Sequence, residues 1–124
     1  MIKKIAFTLY PVTDMKRARS FYEKTLELKP GSIAVEGAWV EYDLAQGGCF
    51  AITTLAEGVL PSANAGGSVA FEVENLADLV GQLKRKGVSF KLDTFATSVC
   101  KMAVILDSEG NAITLHQLTK KQSR

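Results

Sequence analysis

The chain repeats one order of secondary-structure signals in its two halves. Residues 3–55 and residues 67–118 each read as a strand, a polar turn, an amphipathic helix, a chain breaker and three further strands. Alternating apolar residues predict the strands, and apolar residues at helical spacing predict the helices. A duplication of this size predicts two small βαβββ modules that pack together, with a shared cleft as the place for function.

These modules divide one predicted domain, residues 1–124, into four segments. Module one covers about 3–55 and module two about 67–118. Residues 56–67 between them are small and flexible in character, which predicts a linker. Residues 119–124 form a predicted frayed, basic tail. A chain of 124 residues can bury about two-thirds of its unfolded surface, so we expect it to fold without disulfides.

Charge and composition exclude several kinds of partner. The chain has 15 Lys and Arg against 13 Asp and Glu, and three of the basic residues lie in its last five positions. The body is therefore close to neutral, which argues against nucleic acid as a partner. Since no signal peptide or membrane-spanning run is present, we expect a soluble cytoplasmic protein with no membrane partner. Cys49 and Cys100 lack redox or metal spacing and are predicted to be free thiols.

In module one, the first predicted strand runs from Ile5 to Leu9 and is stopped by Pro11. Asp14 is a suitable N-cap for a helix whose apolar positions continue to Leu26. Three strands are predicted after it, at 33–35, 39–44 and 49–54.

Module two shows a clearer pattern. Its first strand presents two sets of alternating residues, one apolar (Val69, Phe71, Val73) and one mixed (Ser68, Ala70, Glu72). If the apolar set covers the helix, the mixed set lines the cleft. The helix is predicted to start after Asn75 and to end at Gly87. Three strands are predicted at 88–92, 99–106 and 112–118, with Gly110 in the loop before the last.

Three segments carry a family resemblance. Val12-Thr13-Asp14, followed by Ala18-Arg19-Ser20-Phe21-Tyr22, is similar to V-x-D…A-x-x-F-Y. Residues 68–75 are similar to H-x-A-F-x-V-x-D, and residues 107–117 to D-P-x-G-N-x-I-E-L-x-Q. In this order, inside a duplicated frame, they resemble the vicinal oxygen chelate superfamily, the glyoxalase/bleomycin-resistance/dioxygenase fold. The resemblance implies an α+β fold in which two βαβββ modules form a curved mixed β-sheet cleft with the helices packed outside.

The resemblance also indicates where metal-dependent members hold their ion, which is usually bound by two His and one or two carboxylates. The two His positions fall on Phe7 and Ser68, and the closing Glu position on Thr114. The remaining ligand position lies near residues 51–53, which contain no His, Gln or carboxylate. Phe cannot coordinate a metal, and hydroxyls bind transition metals poorly. The sequence therefore predicts no metal, no cofactor and no residue with a catalytic role at these positions.

Two features of the predicted cleft have alternative interpretations. His116, the only histidine, is either a donor or general base facing a ligand or a rim residue with no such duty. Trp39 and Glu41 alternate with Val40 and Tyr42, and strand parity decides whether Trp39 lines the cleft or lies in the core. The predicted ligand-binding set combines all these positions: Phe7, Trp39, Glu41, Ser68, Glu72, Thr114 and His116.

An aromatic, mildly acidic pocket is suited to a flat or cationic ligand. The main hypothesis is metal-independent binding or sequestration of a small organic molecule, aromatic or cationic, as in the bleomycin-resistance branch. The alternative is a metal-dependent lyase, dioxygenase or thiol transferase with ligands at unusual positions such as Glu41, Glu72 and His116. Whether the protein is an enzyme is left open. The resemblance further implies a homodimer, with modules paired within one chain or swapped between two.

Overall fold

The computed structural model describes residues 1–119, and the chain divides into two compact units after Pro61. The predicted tail from residue 120 onward lies outside the described residues. The first unit contains β1 (Thr8–Pro11), α1 (Met15–Ser20), a π-helical turn (Phe21–Thr25), β2 (Pro30–Ala34), a 3₁₀ turn (Val35–Gly37), β3 (Trp39–Asp43) and β4 (Cys49–Thr53). The second contains β5 (Val69–Glu72), α2 (Leu76–Arg85), β6 (Phe90–Ala96), β7 (Cys100–Leu106) and β8 (Ala112–Leu118).

Both units have the same sheet topology. The strand order is β1-β4-β3-β2 in the first unit and β5-β8-β7-β6 in the second. The first strand pairs in parallel with the last strand of its unit, and the remaining pairs are antiparallel. Each sheet is therefore mixed, and the predicted α+β class with two βαβββ modules is confirmed.

Three predicted strands are displaced in the structure. The first runs from Thr8 to Pro11 rather than from Ile5 to Leu9. Proline is tolerated there because β1 is an edge strand and the pyrrolidine removes a donor that the ladder does not need. The strand predicted at 33–35 is Pro30–Ala34, since Val35 turns away with a φ of 50°. The strand predicted at 88–92 is Phe90–Ala96, another edge strand, with two register shifts.

Aromatic side chains fill the core of the first unit. The Phe50 ring lies 5.2 Å from that of Tyr10 and 5.1 Å from that of Tyr22. Tyr42 packs against the same group, and its hydroxyl donates to Glu23 at 2.9 Å. This packing fixes the helical segment on one face of the sheet, because Tyr22 and Glu23 belong to the π-helical turn that continues α1.

A half-buried ion pair closes the edge of this core. Arg19 donates to Glu23 through Nε at 2.6 Å and through a second guanidinium nitrogen at 3.1 Å. Burial alone would raise the pKa of Glu23, but the hydrogen bonds from Arg19 and Tyr42 outweigh it and lower that pKa. Burial, together with the Glu23 carboxylate, raises the pKa of the Tyr42 hydroxyl, which therefore remains a neutral donor.

In the second unit, α2 is capped at both ends as the sequence predicts. The Asn75 side chain accepts from the Asp78 backbone N–H at 3.1 Å, and Gly87 has a φ of 79° just beyond the helix. The Gln117 side chain of β8 accepts from the Leu76 N–H at 2.8 Å, which ties the helix start to the sheet. The apolar core between this helix and the sheet consists mainly of Leu76, Leu83, Ala103, Ile105, Ile113 and Leu115.

Each helix covers one face of its own sheet, and we call the opposite face of that sheet the open face. In β3, Val40 and Tyr42 are fully buried on the helix side. In β8, Ile113 and Leu115 are buried in the same way. Because strand side chains alternate, the residues between these positions belong to the open faces. Among residues 1–119, no helix is long and apolar enough to cross a membrane.

Candidate functional site

The open face of the first unit carries an aromatic pair beside a carboxylate. Phe7 lies one residue before β1, and its ring meets Trp39 edge to face with the ring centroids 5.4 Å apart. The Trp39 indole N–H donates to Glu41 Oε2 at 2.9 Å. Trp39 and Glu41 are two residues apart in β3 and share a face. The structure thus brings together three of the residues predicted from sequence.

The sequence left open which face of β3 carries Trp39 and Glu41, and the structure gives the answer. Trp39 and Glu41 lie on the open face, since Val40 and Tyr42 take the helix side. Trp39 and Glu41 are both partly exposed, and Phe7 is 42% exposed. A flat group can therefore reach the aromatic rings, and a positive charge on it would lie near the Glu41 carboxylate.

Cys49 belongs to the same face and was not assigned to it from the sequence. The β3–β4 register pairs Cys49 with Asp43, and the thiol sulfur lies 3.9 Å from Glu41 Oε1. Burial, followed by the charges of Glu41 and Asp43, raises the pKa of the Cys49 thiol. The raised pKa keeps the Cys49 thiol neutral, and a neutral thiol is a poor nucleophile. The negative charge on this face therefore resides on the carboxylates of Glu41 and Asp43. The alternation of β4 could have revealed this position.

The open face of the second unit carries a carboxylate–imidazole pair. The parallel register of β5 and β8 places Glu72 opposite His116, and the Nδ1 of His116 lies 2.5 Å from Glu72 Oε1. The other carboxylate oxygen of Glu72 accepts from the Leu118 backbone N–H at 2.8 Å. The sequence placed both residues on the cleft side but did not predict that they would bond to each other.

The two remaining predicted residues belong to this unit as well. Thr114 lies in β8 two residues before His116, on the open face, and is the register partner of Ala70. Ser68 is exposed and lies one residue before β5, outside the strand in which the sequence placed it. The strand is shorter than predicted, so Ser68 lies outside its ladder, four residues before Glu72.

The duplicated topology gives equivalent positions for the expected metal ligands, and their chemistry does not fit a metal. Phe7 and Ser68 each lie one residue before the first strand of their unit. Ala51 and Thr114 face the second residue of those same strands. None of these four offers an imidazole, thiolate or carboxylate. Within residues 1–119, no group of three or more His, Cys, Asp or Glu could hold a metal ion.

The amino-acid sequence matches a known family over most of its length. The model of the Glyoxalase/Bleomycin resistance protein/Dioxygenase superfamily matches residues 4–115. A search of curated proteins found no match.

Solved structures of low sequence identity have the same fold. A glyoxalase/dioxygenase from Nostoc punctiforme is 15% identical with a TM-score of 0.78, covering 95% of this chain and 92% of that one. FosX, a genomically encoded fosfomycin resistance protein from Listeria monocytogenes, is 16% identical with a TM-score of 0.74, covering 94% and 91%. Lactoylglutathione lyase from Agrobacterium tumefaciens is 15% identical with a TM-score of 0.71, covering 94% of each chain.

Proposed function

The chain belongs to the Glyoxalase/Bleomycin resistance protein/Dioxygenase superfamily, and from this premise we propose that it binds a small organic molecule without a metal ion. The proposed ligand is flat and carries a positive charge. The proposed role is sequestration of this ligand, which requires a complementary surface and no reaction. The observation that carries the proposal is the Phe7–Trp39 pair with Glu41 hydrogen-bonded beside it on an open sheet face.

Both halves of this group favour a cation. The face of an indole ring attracts positive charge, with a free energy of about 0.5–2 kcal/mol depending on how far the cation is desolvated. The Glu41 carboxylate adds a charge on the same side, and its hydrogen bond from Trp39 holds the two groups in one arrangement. The Phe7 ring, packed edge to face with Trp39, extends the apolar surface available to the body of a flat ligand.

The donor set argues against the metal-dependent alternative for this chain. That alternative places ligands at unusual positions such as Glu41, Glu72 and His116, and both carboxylate oxygens of Glu72 already accept hydrogen bonds within the protein. The Glu41 carboxylate is engaged by Trp39. No arrangement within residues 1–119 offers the grouped donors that a divalent ion needs.

Assembly and location are proposals of the same kind. We propose a homodimer, as the superfamily resemblance implies, and a cytoplasmic location. The names of two structural neighbours, a lactoylglutathione lyase and a fosfomycin resistance protein, are consistent with a small-molecule partner for proteins of this fold.

Removing the charge of Glu41 tests the proposed ligand class. We expect Glu41→Gln to weaken binding of 1-methylquinolinium about tenfold and to leave binding of neutral quinoline unchanged, because the amide keeps an acceptor for Trp39 but loses the charge. Both affinities are measured by quenching of Trp39, the only tryptophan.

The matched control is Asp43→Asn, which removes a carboxylate from the same face of β3 but two residues further from Trp39 than Glu41. We expect its effect to be less than about threefold, because this exposed charge is more distant and better screened by solvent. Equal affinity of the wild type for both compounds, or a cation preference that survives Glu41→Gln, would contradict the proposed ligand class.

A further inference from the structure

The single histidine of the chain, His116, is held in place by the Glu72 carboxylate, both oxygens of which form hydrogen bonds. Glu72 Oε1 meets His116 Nδ1, and Glu72 Oε2 accepts from the Leu118 backbone N–H. Both partners lie in β8, which pairs in fixed parallel register with the β5 strand that carries Glu72, so the carboxylate cannot turn away without breaking these bonds. The orientation of the imidazole is therefore set by the sheet.

This contact determines which nitrogen of the neutral imidazole carries the proton. An ionised carboxylate only accepts hydrogen bonds, so Nδ1 must be the donor. The other nitrogen, Nε2, is then a hydrogen-bond acceptor and lies on the opposite edge of the ring from Glu72. The His116 side chain keeps 18% of its surface exposed.

On the side of β7 and β6, the open face beside His116 is apolar. Met102 is its register partner in β7, and Phe95 is the partner of Met102 in β6. Phe95 is 41% exposed. Thioether sulfur and aromatic rings pack favourably together, so Met102 and Phe95 offer a surface for an aromatic body next to Nε2 of His116.

We propose that this face binds a neutral aromatic molecule through a hydroxyl group that donates a hydrogen bond to Nε2 of His116. Glu72 acts as a positioning residue that keeps the proton on Nδ1. Met102 and Phe95 contact the aromatic body. The inference stands on residues other than Phe7, Trp39 and Glu41, so it holds or fails independently of the cation site proposed above.

A matched pair of ligands tests the donor requirement. We expect the wild-type protein to bind 2-naphthol at least about tenfold more tightly than 2-methoxynaphthalene in calorimetric titrations, because the ether cannot donate to Nε2 and leaves it unpaired. His116→Phe should bring the two affinities within about twofold, since its ring keeps apolar contact and accepts no hydrogen bond. Binding of neither compound, equal binding of both by the wild type, or a preference that survives His116→Phe would overturn the proposal.

Nitrogen NMR of ¹⁵N-histidine-labelled protein tests the tautomer directly and does not depend on any ligand. With one histidine in the chain, the signals need no assignment. At a pH where the imidazole is neutral, we expect the Nδ1–H form in the wild type and loss of that preference in Glu72→Gln. An Nε2–H form in the folded wild type would overturn the proposal.

Discussion

Replacing Trp39 by alanine is expected to weaken binding of 1-methylquinolinium about 100-fold while the protein stays folded. The substitution removes the indole face, the partner of the Phe7 ring and the donor that holds Glu41. Stability should change little by comparison, because Trp39 lies on the open face while its neighbours Val40 and Tyr42 are the fully buried residues of β3. Calorimetry measures the affinity, and circular dichroism measures the thermal transition.

Trp39→Phe is the matched control for this experiment. It keeps an aromatic ring against Phe7 but loses the N–H that donates to Glu41, so we expect an intermediate loss of about tenfold. An unchanged affinity in Trp39→Ala would place the cation site elsewhere on the molecule. A variant that no longer unfolds cooperatively would show that Trp39 belongs to the core.

Phe50→Ala is expected to lower the free energy of unfolding by about 3–5 kcal/mol. Phe50 is 1% exposed, and its ring contacts those of Tyr10 and Tyr22 across the core of the first unit. Truncation leaves a cavity among rigid aromatic rings that cannot collapse to fill it. Urea unfolding followed by circular dichroism gives the free energy.

Phe95→Ala is the matched comparison at an exposed phenylalanine. Its side chain is 41% exposed on an edge strand, so we expect a loss of less than about 1 kcal/mol. Comparable losses for the two variants would contradict the division between a buried aromatic core and an aromatic surface open to ligands.

Sequence pattern alone predicted those elements whose signals agree with one another. β8 has the predicted bounds, Ala112–Leu118, because Ile113 and Leu115 alternate cleanly after a loop in which Gly110 adopts a φ of 91°. Helix α2 begins and ends as its N-cap and its terminal glycine predict. In both elements the local conformational preference and the burial pattern favour the same structure.

The displaced strands are those in which local signals disagree. β1 ends on a proline and β2 begins on one, so residues that usually break a strand lie inside the ladder. Both are edge strands, where the missing N–H costs little. β6 is exposed along most of its length and therefore has no clear alternation to mark its bounds.

The candidate sites also combine features that one strand reveals with features that depend on strand pairing. Trp39 and Glu41 could be placed on one face because they are two residues apart in one strand. The Glu72–His116 bond joins residues 44 apart in the chain, and it depends on the register of two parallel strands that no local pattern reveals. The alternation of β4 could have placed Cys49 on the open face, but its position beside Glu41 follows from the pairing of β3 with β4.

The most direct test of metal-independent binding is the affinity for 1-methylquinolinium measured in chelator and again with added Ni²⁺, Zn²⁺, Mn²⁺ or Fe²⁺. The residues at the expected ligand positions, Phe7, Ala51, Ser68 and Thr114, predict the same Kd in every condition and no stoichiometric metal in the purified protein. Binding that appears only with a metal, or one tightly held ion per chain, would contradict the account.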